Sequence, residues 1–103
     1  MHDLTGFQRD CIRTIAQLSD PCGLDIKSEL EYYYEGEVHH GRLYSNLDQL
    51  VEMGLVNKSE KDARTNEYSL TPRGKREVEF QLNEWEDAVE EQSSKQKHIH
   101  SLR

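Results

Sequence analysis

The sequence predicts one mainly α-helical domain that contains a β-hairpin. Apolar residues recur at helical intervals in three stretches before residue 54, the period falls to about two between residues 55 and 70, and a helical period returns after Pro72. A chain of 103 residues has room for one such domain, because a domain of this size buries roughly two thirds of its unfolded surface in a single core.

The first helix is predicted over residues 6–18. Thr5, followed three residues later by Gln8, has the spacing of a capping box, in which each side chain bonds the backbone N–H of the other residue. The apolar stripe around and after this box comprises Leu4, Phe7, Cys11, Ile15 and Leu18. We expect the stripe to face the core, because its spacing is helical.

Two more helices are predicted over residues 23–34 and 40–53. A turn at residues 19–23 precedes the second helix, and Gly36 and Gly54 follow the ends of the second and the third. The apolar residues are Leu24, Ile26 and Leu30, with Tyr33 or Tyr34, in the second helix, and Leu43, Leu47, Leu50 and Val51 in the third. We expect the tyrosines at 32–34 and Trp85 to fill the core and a subunit interface, rather than an effector site.

A hairpin and a final helix complete the predicted order. Strands are expected at 55–58 and 67–70, with a charged tip at 59–66. Thr71 is then a helix N-cap, and Pro72 stands in the first turn. Along the last helix an apolar seam with spacings of four, three and four residues comprises Val78, Leu82, Trp85 and Val89. From residue 93 the chain is polar and unpatterned, which predicts a frayed tail.

This order of elements is that of a winged helix-turn-helix with an added C-terminal dimerisation helix. In that architecture the helix before the wing enters the major groove of DNA, and the wing reaches the backbone or the minor groove. We therefore assign residues 1–76 to a winged helix-turn-helix DNA-binding domain, residues 72–92 to a C-terminal dimerisation helix of the same compact unit, and residues 93–103 to a flexible tail.

Charge is distributed unevenly along the chain. The net charge of −7 argues at first against a nucleic-acid partner, because phosphate contacts need Lys and Arg. Residues 1–38 carry a net −5 and residues 77–103 a net −4, whereas residues 39–76, which include the third helix and the wing, carry a net +2. The acidic flanks suit a halophilic protein and predict that inorganic cations enter a DNA interface.

The candidate DNA-binding residues lie opposite the apolar stripe of the third helix and on the wing. Arg can bind guanine with two hydrogen bonds, Asn or Gln can do the same for adenine, and Ser and His can bond phosphates or bases. The recognition helix, about residues 40–53, supplies His40, Arg42, Ser45, Asn46 and Gln49, and the wing, about residues 58–66, supplies Lys58, Lys61 and Arg64. Asp48 fits this face less well, since its carboxylate repels phosphate unless it accepts a cytosine amino group or points aside.

The chain contains GLDIKSEL at 23–30, GRLYSNLDQLVEMGLV at 41–56 and RTNEYSLTPRG at 64–74. These motifs, in this order, resemble the PadR-like family of winged-helix transcriptional regulators, and the resemblance extends over about residues 4–90. The acidic composition is similar to that of small family members from halophilic archaea. The resemblance implies binding of a pseudo-palindromic operator in double-stranded DNA, adds Thr65 to the wing contacts, and suggests a response to oxidative stress.

The resemblance also implies a homodimer held by the last helix with help from the first. The interface residues it implies are Leu4, Phe7, Val78, Leu82, Trp85 and Val89. Two recognition helices then lie about one helical turn of DNA, roughly 34 Å, apart. A short, single C-terminal helix leaves little room for a large effector pocket, so a phenolic-acid sensor is not expected.

A winged-helix module for protein–protein contact, without DNA specificity, is the first alternative. Net acidity favours this alternative, and the predicted polar face of the third helix disfavours it. A metal protein or an enzyme is the second alternative and would use His39 with His40, or His98 with His100. Adjacent histidines do not face one site on a regular helix, and a single His-x-His near the chain end is a weak metal pattern.

We therefore expect no catalytic activity, metal or cofactor, because the sequence also offers no nucleophile with a plausible base. Cys11 and Cys22 lack metal-ligand spacing, and a redox role for either stays open. No run of about 18 apolar residues and no signal-peptide order is found, so we expect a cytoplasmic protein without a membrane partner.

Overall fold

The computed structural model describes the backbone of residues 3–101 and the side chains of residues 3–95. In chain order the elements are α1 (Gly6–Gln17), α2 (Gly23–Tyr34), α3 (His40–Glu52), β1 (Val56–Asp62), β2 (Thr65–Leu70) and α4 (Pro72–Ser101). The two strands form one antiparallel hairpin. This is a winged helix-turn-helix with an added C-terminal helix, so the predicted fold class is confirmed.

The core lies between the first three helices and is closed by the base of the wing. Its buried members include Phe7, Cys11, Ile12, Ile15, Ile26, Leu30, Leu43, Leu47, Leu50, Leu55, Val56 and Tyr68. Leu24 is not among them and is 64% exposed, because two residues of helix turn its side chain about 200° away from that of Ile26. Tyr32 and Tyr33 are 81% and 57% exposed, so these two do not fill the core of the chain, and their place in a subunit interface stays a prediction.

The capping box at the start of α1 is confirmed. Thr5 Oγ1 accepts the backbone N–H of Gln8 at 3.1 Å, and Gln8 Oε1 accepts that of Thr5 at 3.2 Å. These bonds satisfy two backbone donors near the start of the helix. They also hold the side chain of Gln8 in place, and Gln8 is only 3% exposed.

A carboxylate on α2 holds the connection to α3. Glu35 caps the C-terminal end of α2 with a left-handed backbone, φ of 56°, and the chain then turns so that Val38 is buried. Glu31 Oε2 accepts hydrogen bonds from the Val38 N–H at 2.9 Å and from Lys27 Nζ at 3.0 Å. The Val38 N–H, and after it Lys27, hold the pKa of Glu31 below its ordinary value of 4.5.

The wing has longer strands and a shorter tip than the sequence predicts. β1 and β2 pair over nearly their whole length, with a register irregularity between Glu60 and Asp62, and residues 63 and 64 form the tip. Most of the charged stretch at 59–66 is therefore strand rather than irregular loop. Backbone pairing explains the difference, because the ladder bonds join main-chain groups and do not require an apolar face.

The base of the wing is attached to the turn between α1 and α2. The Tyr68 N–H donates to the Pro21 carbonyl oxygen at 2.9 Å, and Cys22 forms an isolated antiparallel bridge with Glu67. The buried ring of Tyr68 lies in the core beneath this contact. The wing is therefore fixed to the helical part of the domain at its base and extends into solvent at its tip.

α4 starts tightly against the end of the hairpin. Thr71 Oγ1 accepts the Gly74 N–H at 2.9 Å and donates to the Gly54 carbonyl oxygen at 2.7 Å, which confirms Thr71 as the helix cap. A Cβ on Gly74 would lie 2.0 Å from the Leu55 carbonyl oxygen. This close approach of α4 to the chain before β1 therefore requires glycine.

α4 continues to Ser101, whereas we expected an irregular, flexible tail over residues 93–103. The expectation of an irregular segment is wrong for the described backbone. No Gly or Pro follows Gly74, and Lys and Gln are good helix formers, so the helix meets no stop signal. Within the described part of the chain, no helix is long and apolar enough to cross a membrane.

Replacement of Glu31 by Gln should destabilise the protein at neutral pH. The folded-state pKa of Glu31 is lowered, so its contribution to the free energy of unfolding is present above pH 4.5 and is lost as the pH falls through the lowered value. Thermal unfolding of wild type and Glu31→Gln should therefore differ at pH 7 and converge in acid. Glu37→Gln, in the exposed loop that follows α2, is the matched control, and a constant difference between wild type and Glu31→Gln at every pH would contradict the assignment.

Candidate nucleic-acid interface

The outer face of α3 carries most of the predicted DNA-reading residues. Leu43, Leu47 and Leu50 are each 0% exposed, and their burial turns the opposite side of the helix outward. On that side His40, Arg42, Ser45 and Gln49 are exposed and Asn46 is half-buried. The structure thus brings the five residues onto the outer part of α3, but three of them make contacts with α1 that the sequence did not reveal.

Arg42 is the first of these three. Its guanidinium carbon lies 3.9 Å from the centre of the Phe7 ring on α1. Such a cation–π contact contributes about 0.5–1 kcal/mol where the cation is exposed, as Arg42 is. A contact between Arg42 and a base therefore competes with a contact to α1 that is already formed.

Asn46 and Gln49 are the other two, and both bond the buried side chain of Gln8. Gln8 Nε2 donates to Gln49 Oε1 at 2.8 Å and to Asn46 Oδ1 at 3.2 Å, while Asn46 Nδ2 donates to the Arg42 carbonyl oxygen at 2.8 Å. The sequence analysis assigned Gln8 only to the capping box. Its position four residues after Leu4 and three before Cys11, on an apolar stripe, was the signal that it faces inward.

Asp48 points aside toward the wing. Its Oδ1 lies 3.4 Å from Lys58 Nζ, and the two side chains are 62% and 37% exposed. An exposed pair of this kind contributes roughly 0.2–1 kcal/mol, so Lys58 can exchange the carboxylate for another anion at small cost. The pair partly neutralises the acidic group that fitted the DNA-reading face least well.

The wing tip carries its cations outward. Lys61 and Arg64 are exposed, and Thr65 is half-buried. Asp62 Oδ1 accepts the Arg64 N–H at 3.0 Å, and this bond is the main cause of a lowered pKa at Asp62. The Asp62 carboxylate therefore orders the turn, while the Arg64 side chain remains exposed.

A groove of about 250 Å³ separates the wing from the N-terminal ends of α2 and α3. The His40 and Tyr44 rings lie 4.4 Å apart at their centres, and a Cβ on Gly23 would lie 2.0 Å from the Tyr44 hydroxyl. Gly23 therefore admits the Tyr44 ring between α2 and α3. Arg64 and Thr65 line the groove on the wing side.

The residues predicted for dimerisation fall into two groups. Leu4 and Phe7 are 4% and 6% exposed and already pack within the chain. The larger side chains of the α4 seam are exposed, with Leu82 at 57%, Trp85 at 71% and Val89 at 63%, while Val78 is half-buried. We call these last four residues the α4 stripe.

The two cysteines occupy different environments. Cys11 is buried, and burial is the main cause that raises the pKa of its thiol to about 12. Cys22 is half-buried and its thiol donates to Asp25 Oδ2 at 3.2 Å. Among the described residues there is no cluster of three His, Cys, Asp or Glu that could hold a metal ion; the side chains of His98 and His100 lie outside those residues.

The sequence model of the PadR-like family of transcriptional regulators matches residues 12–80 of the chain. A comparison with curated proteins gives no match. Among solved structures, RosR of H. salinarum in crystals grown from NaBr is similar, with 51% identity and a TM-score of 0.78, over 85% of this chain and 78% of that chain.

Two further solved structures show the same fold. The complex named hsRosR-S1 has 52% identity and a TM-score of 0.78, over 84% of this chain and 76% of that chain. FabT of Streptococcus pneumoniae, solved in complex with DNA, has 22% identity and a TM-score of 0.70, over 86% of this chain and 59% of that chain. At that identity the likeness to FabT is one of fold alone.

Proposed function

The chain belongs to the PadR-like family of transcriptional regulators, and from that premise we propose that it is a dimeric, sequence-specific DNA-binding protein. Family and fold together support a DNA-binding regulator. The observation that carries the finer proposal is the outward face of α3, on which Arg42, Ser45 and Gln49 are exposed. Guanidinium, hydroxyl and amide groups are those that read base edges in the major groove.

In this proposal α3 lies in the major groove, and the wing contacts the backbone or the minor groove beside it. Lys61 and Arg64 are exposed at the wing tip, where they meet phosphates or enter a narrow minor groove. Lys58 also contacts a phosphate when that phosphate displaces the Asp48 carboxylate, since the contact between Lys58 and Asp48 is long and exposed. His40, at the start of α3 and beside the groove, contacts a phosphate or a base.

The exposed apolar residues of the α4 stripe support the proposed dimerisation. Three large apolar side chains that are each more than half exposed recur at helical spacing, which is the pattern of a helix that packs on a partner helix. Burial of such side chains stabilises an interface by about 25 cal/mol per Å² of apolar surface. A symmetric dimer then presents two α3 helices to the two halves of a pseudo-palindromic operator.

The net charge of −7 and the similarity to a protein of H. salinarum support a salt-adapted chain, with cations held between carboxylates and DNA. A response to oxidative stress and a location in the cytoplasm stay predictions. Net acidity alone favours the competing function, a winged-helix module for protein–protein contact.

The proposal is tested by titration of the protein against the duplex of its own promoter and against a scrambled duplex of equal length. Wild type should prefer the promoter with two protomers per site. Arg42→Ala should cost about 1–3 kcal/mol of binding free energy and relax selection at one base pair. Arg13→Ala removes the same charge from α1, where Arg13 lies over Tyr33, and should keep the preference. Equal or absent binding to both duplexes would favour the protein-contact module.

Replacement of Trp85 by Glu should convert the dimer to a monomer. The substitution places a charge in the centre of the α4 stripe, where burial without a partner is costly. Sedimentation should show half the wild-type mass, and operator affinity should fall by more than about tenfold, because two half-sites no longer bind together. Asn83→Glu adds the same charge to an exposed position turned away from the stripe and should leave the mass unchanged. A dimer of Trp85→Glu would exclude the stripe as the interface.

Affinity for the operator should stay level or rise as KCl increases from about 0.5 to about 2 M. Carboxylates that face phosphates require bound cations, and cation uptake offsets the counterion release that normally weakens binding in salt. Asp48→Asn should make affinity fall more steeply, or rise less, as KCl increases. Asp87→Asn, on α4, should leave the salt dependence of affinity unchanged. A fall in affinity of roughly one decade per decade of salt for each neutralised phosphate would contradict cation uptake.

A further inference from the structure

An amide chain joins the start of α1 to the recognition helix. It runs from the backbone N–H of Thr5 to the side chain of Gln8, and from there to the side chains of Asn46 and Gln49. All the bonds lie between 2.8 and 3.2 Å. Gln8 is 3% exposed, so water does not compete for its polar atoms.

Each hydrogen bond of the amide chain has only one possible donor and one possible acceptor. The Thr5 N–H can only donate, so the oxygen of Gln8 must face it, and the Gln8 amino group must then point at α3. Asn46 and Gln49 therefore present their oxygens to Gln8. Asn46 is fixed a second time, because its amino group donates to the Arg42 carbonyl oxygen, which can only accept.

These hydrogen-bond directions leave different groups of Asn46 and Gln49 available to a ligand. Both ends of Asn46 are engaged inside the protein, and the residue is half-buried. Gln49 is exposed, and its oxygen is held by Gln8, so its amino group is the part directed to a ligand. Both amides are thereby turned away from the paired donor and acceptor contacts that read adenine.

We propose that Gln8 is a specificity-determining positioning residue, which withdraws Asn46 from base recognition and fixes Gln49 as a donor-only reader of the major groove. The inference deepens the proposed function and rests on it. Guanine and thymine offer only acceptors along their major-groove edges, whereas the exocyclic groups of adenine and cytosine are donors. Gln49 therefore favours guanine or thymine, because adenine places a donor beside its single acceptor N7 and cytosine offers only a donor. On sequence alone, Asn46 and Gln49 were both candidates for the paired hydrogen bonds that can read adenine.

Gln8→Glu is the informative variant, because it reverses the polarity without removing the capping box. Glu is a usual residue at this position of the box, where its carboxylate accepts the backbone N–H of the cap residue, and negative charge is favourable near a helix start. A carboxylate cannot donate, so Gln49 must turn its amino group toward it. Gln49 then directs its oxygen outward. Gln8→Met keeps a similar volume without polar atoms and releases both amides.

The test selects bound sequences from a pool of duplexes randomised over the operator half-site, with wild type, Gln8→Glu, Gln8→Met and Gln49→Ala. Wild type should prefer guanine or thymine by about tenfold at one position. Gln8→Glu should shift that position to adenine or cytosine, and Gln8→Met and Gln49→Ala should lose the preference there. Thermal unfolding of each variant checks that it folds. Retention of the wild-type preference by Gln8→Glu or by Gln49→Ala would overturn the proposal.

Hydrogen exchange of the side-chain amides, measured by NMR on free protein, gives a readout that needs no DNA. The amino protons of Gln8 should exchange slowly and those of Gln49 fast in wild type, while those of Gln49 should become slow in Gln8→Glu. Fast exchange at Gln8 in wild type would overturn the amide chain itself. A wild type that selects no sequence but shows slow exchange at Gln8 would refute the proposed function, and with it the base preference, while the amide chain would stand.

Discussion

α3 is fixed to α1 by three leucines with no exposed surface and by the buried amide of Gln8, which bonds two side chains of α3. The leucines set the distance between the helices, since apolar burial has no direction of its own. The amide of Gln8 sets the rotation of α3 about its own axis, because each of its hydrogen bonds has one allowed donor and one allowed acceptor. Loss of one partner would leave a buried polar group unsatisfied, at a cost of about 1–3 kcal/mol. The chemistry that α3 presents outward is therefore decided by its inner contacts.

Main-chain contacts fix the wing and α4 to the helical core of the domain. The Tyr68 N–H bonds the Pro21 carbonyl oxygen, and α4 approaches the Leu55 carbonyl so closely that Gly74 has no room for a Cβ. These contacts place the wing beside α3 and set the direction in which α4 leaves the domain. Val78 packs against the core, and Leu82, Trp85 and Val89 are exposed. In the proposed dimer, packing through α4 would fix the separation of two DNA-reading faces, which a flexible attachment of α4 would leave undefined.

Much of this arrangement is readable from the sequence, because it depends on local signals. The capping box of Thr5 and Gln8, the break of period after Gly54 and the cap at Thr71 mark element boundaries, and these follow from short-range hydrogen bonding. The rest depends on contacts distant in sequence. The bond from Gln8 to Gln49 spans 41 positions, and the Asp48–Lys58 pair joins a helix to a strand, so helical periodicity alone could not show which polar groups are engaged. The end of α4 was misplaced for another reason, since a polar sequence without Gly or Pro does not stop a helix.

An acidic chain that binds DNA must concentrate its few cations where the phosphates lie. The one net-positive segment, residues 39–76, forms α3, the wing and the start of α4, while acidic segments flank it in sequence. The most direct test of the account is a hydroxyl-radical footprint of the protein on its promoter duplex. The account predicts two protected patches on one side of the duplex, centred about one helical turn, roughly 34 Å, apart. A single patch, or continuous protection without a boundary, would contradict a dimer that presents two α3 helices to neighbouring major grooves.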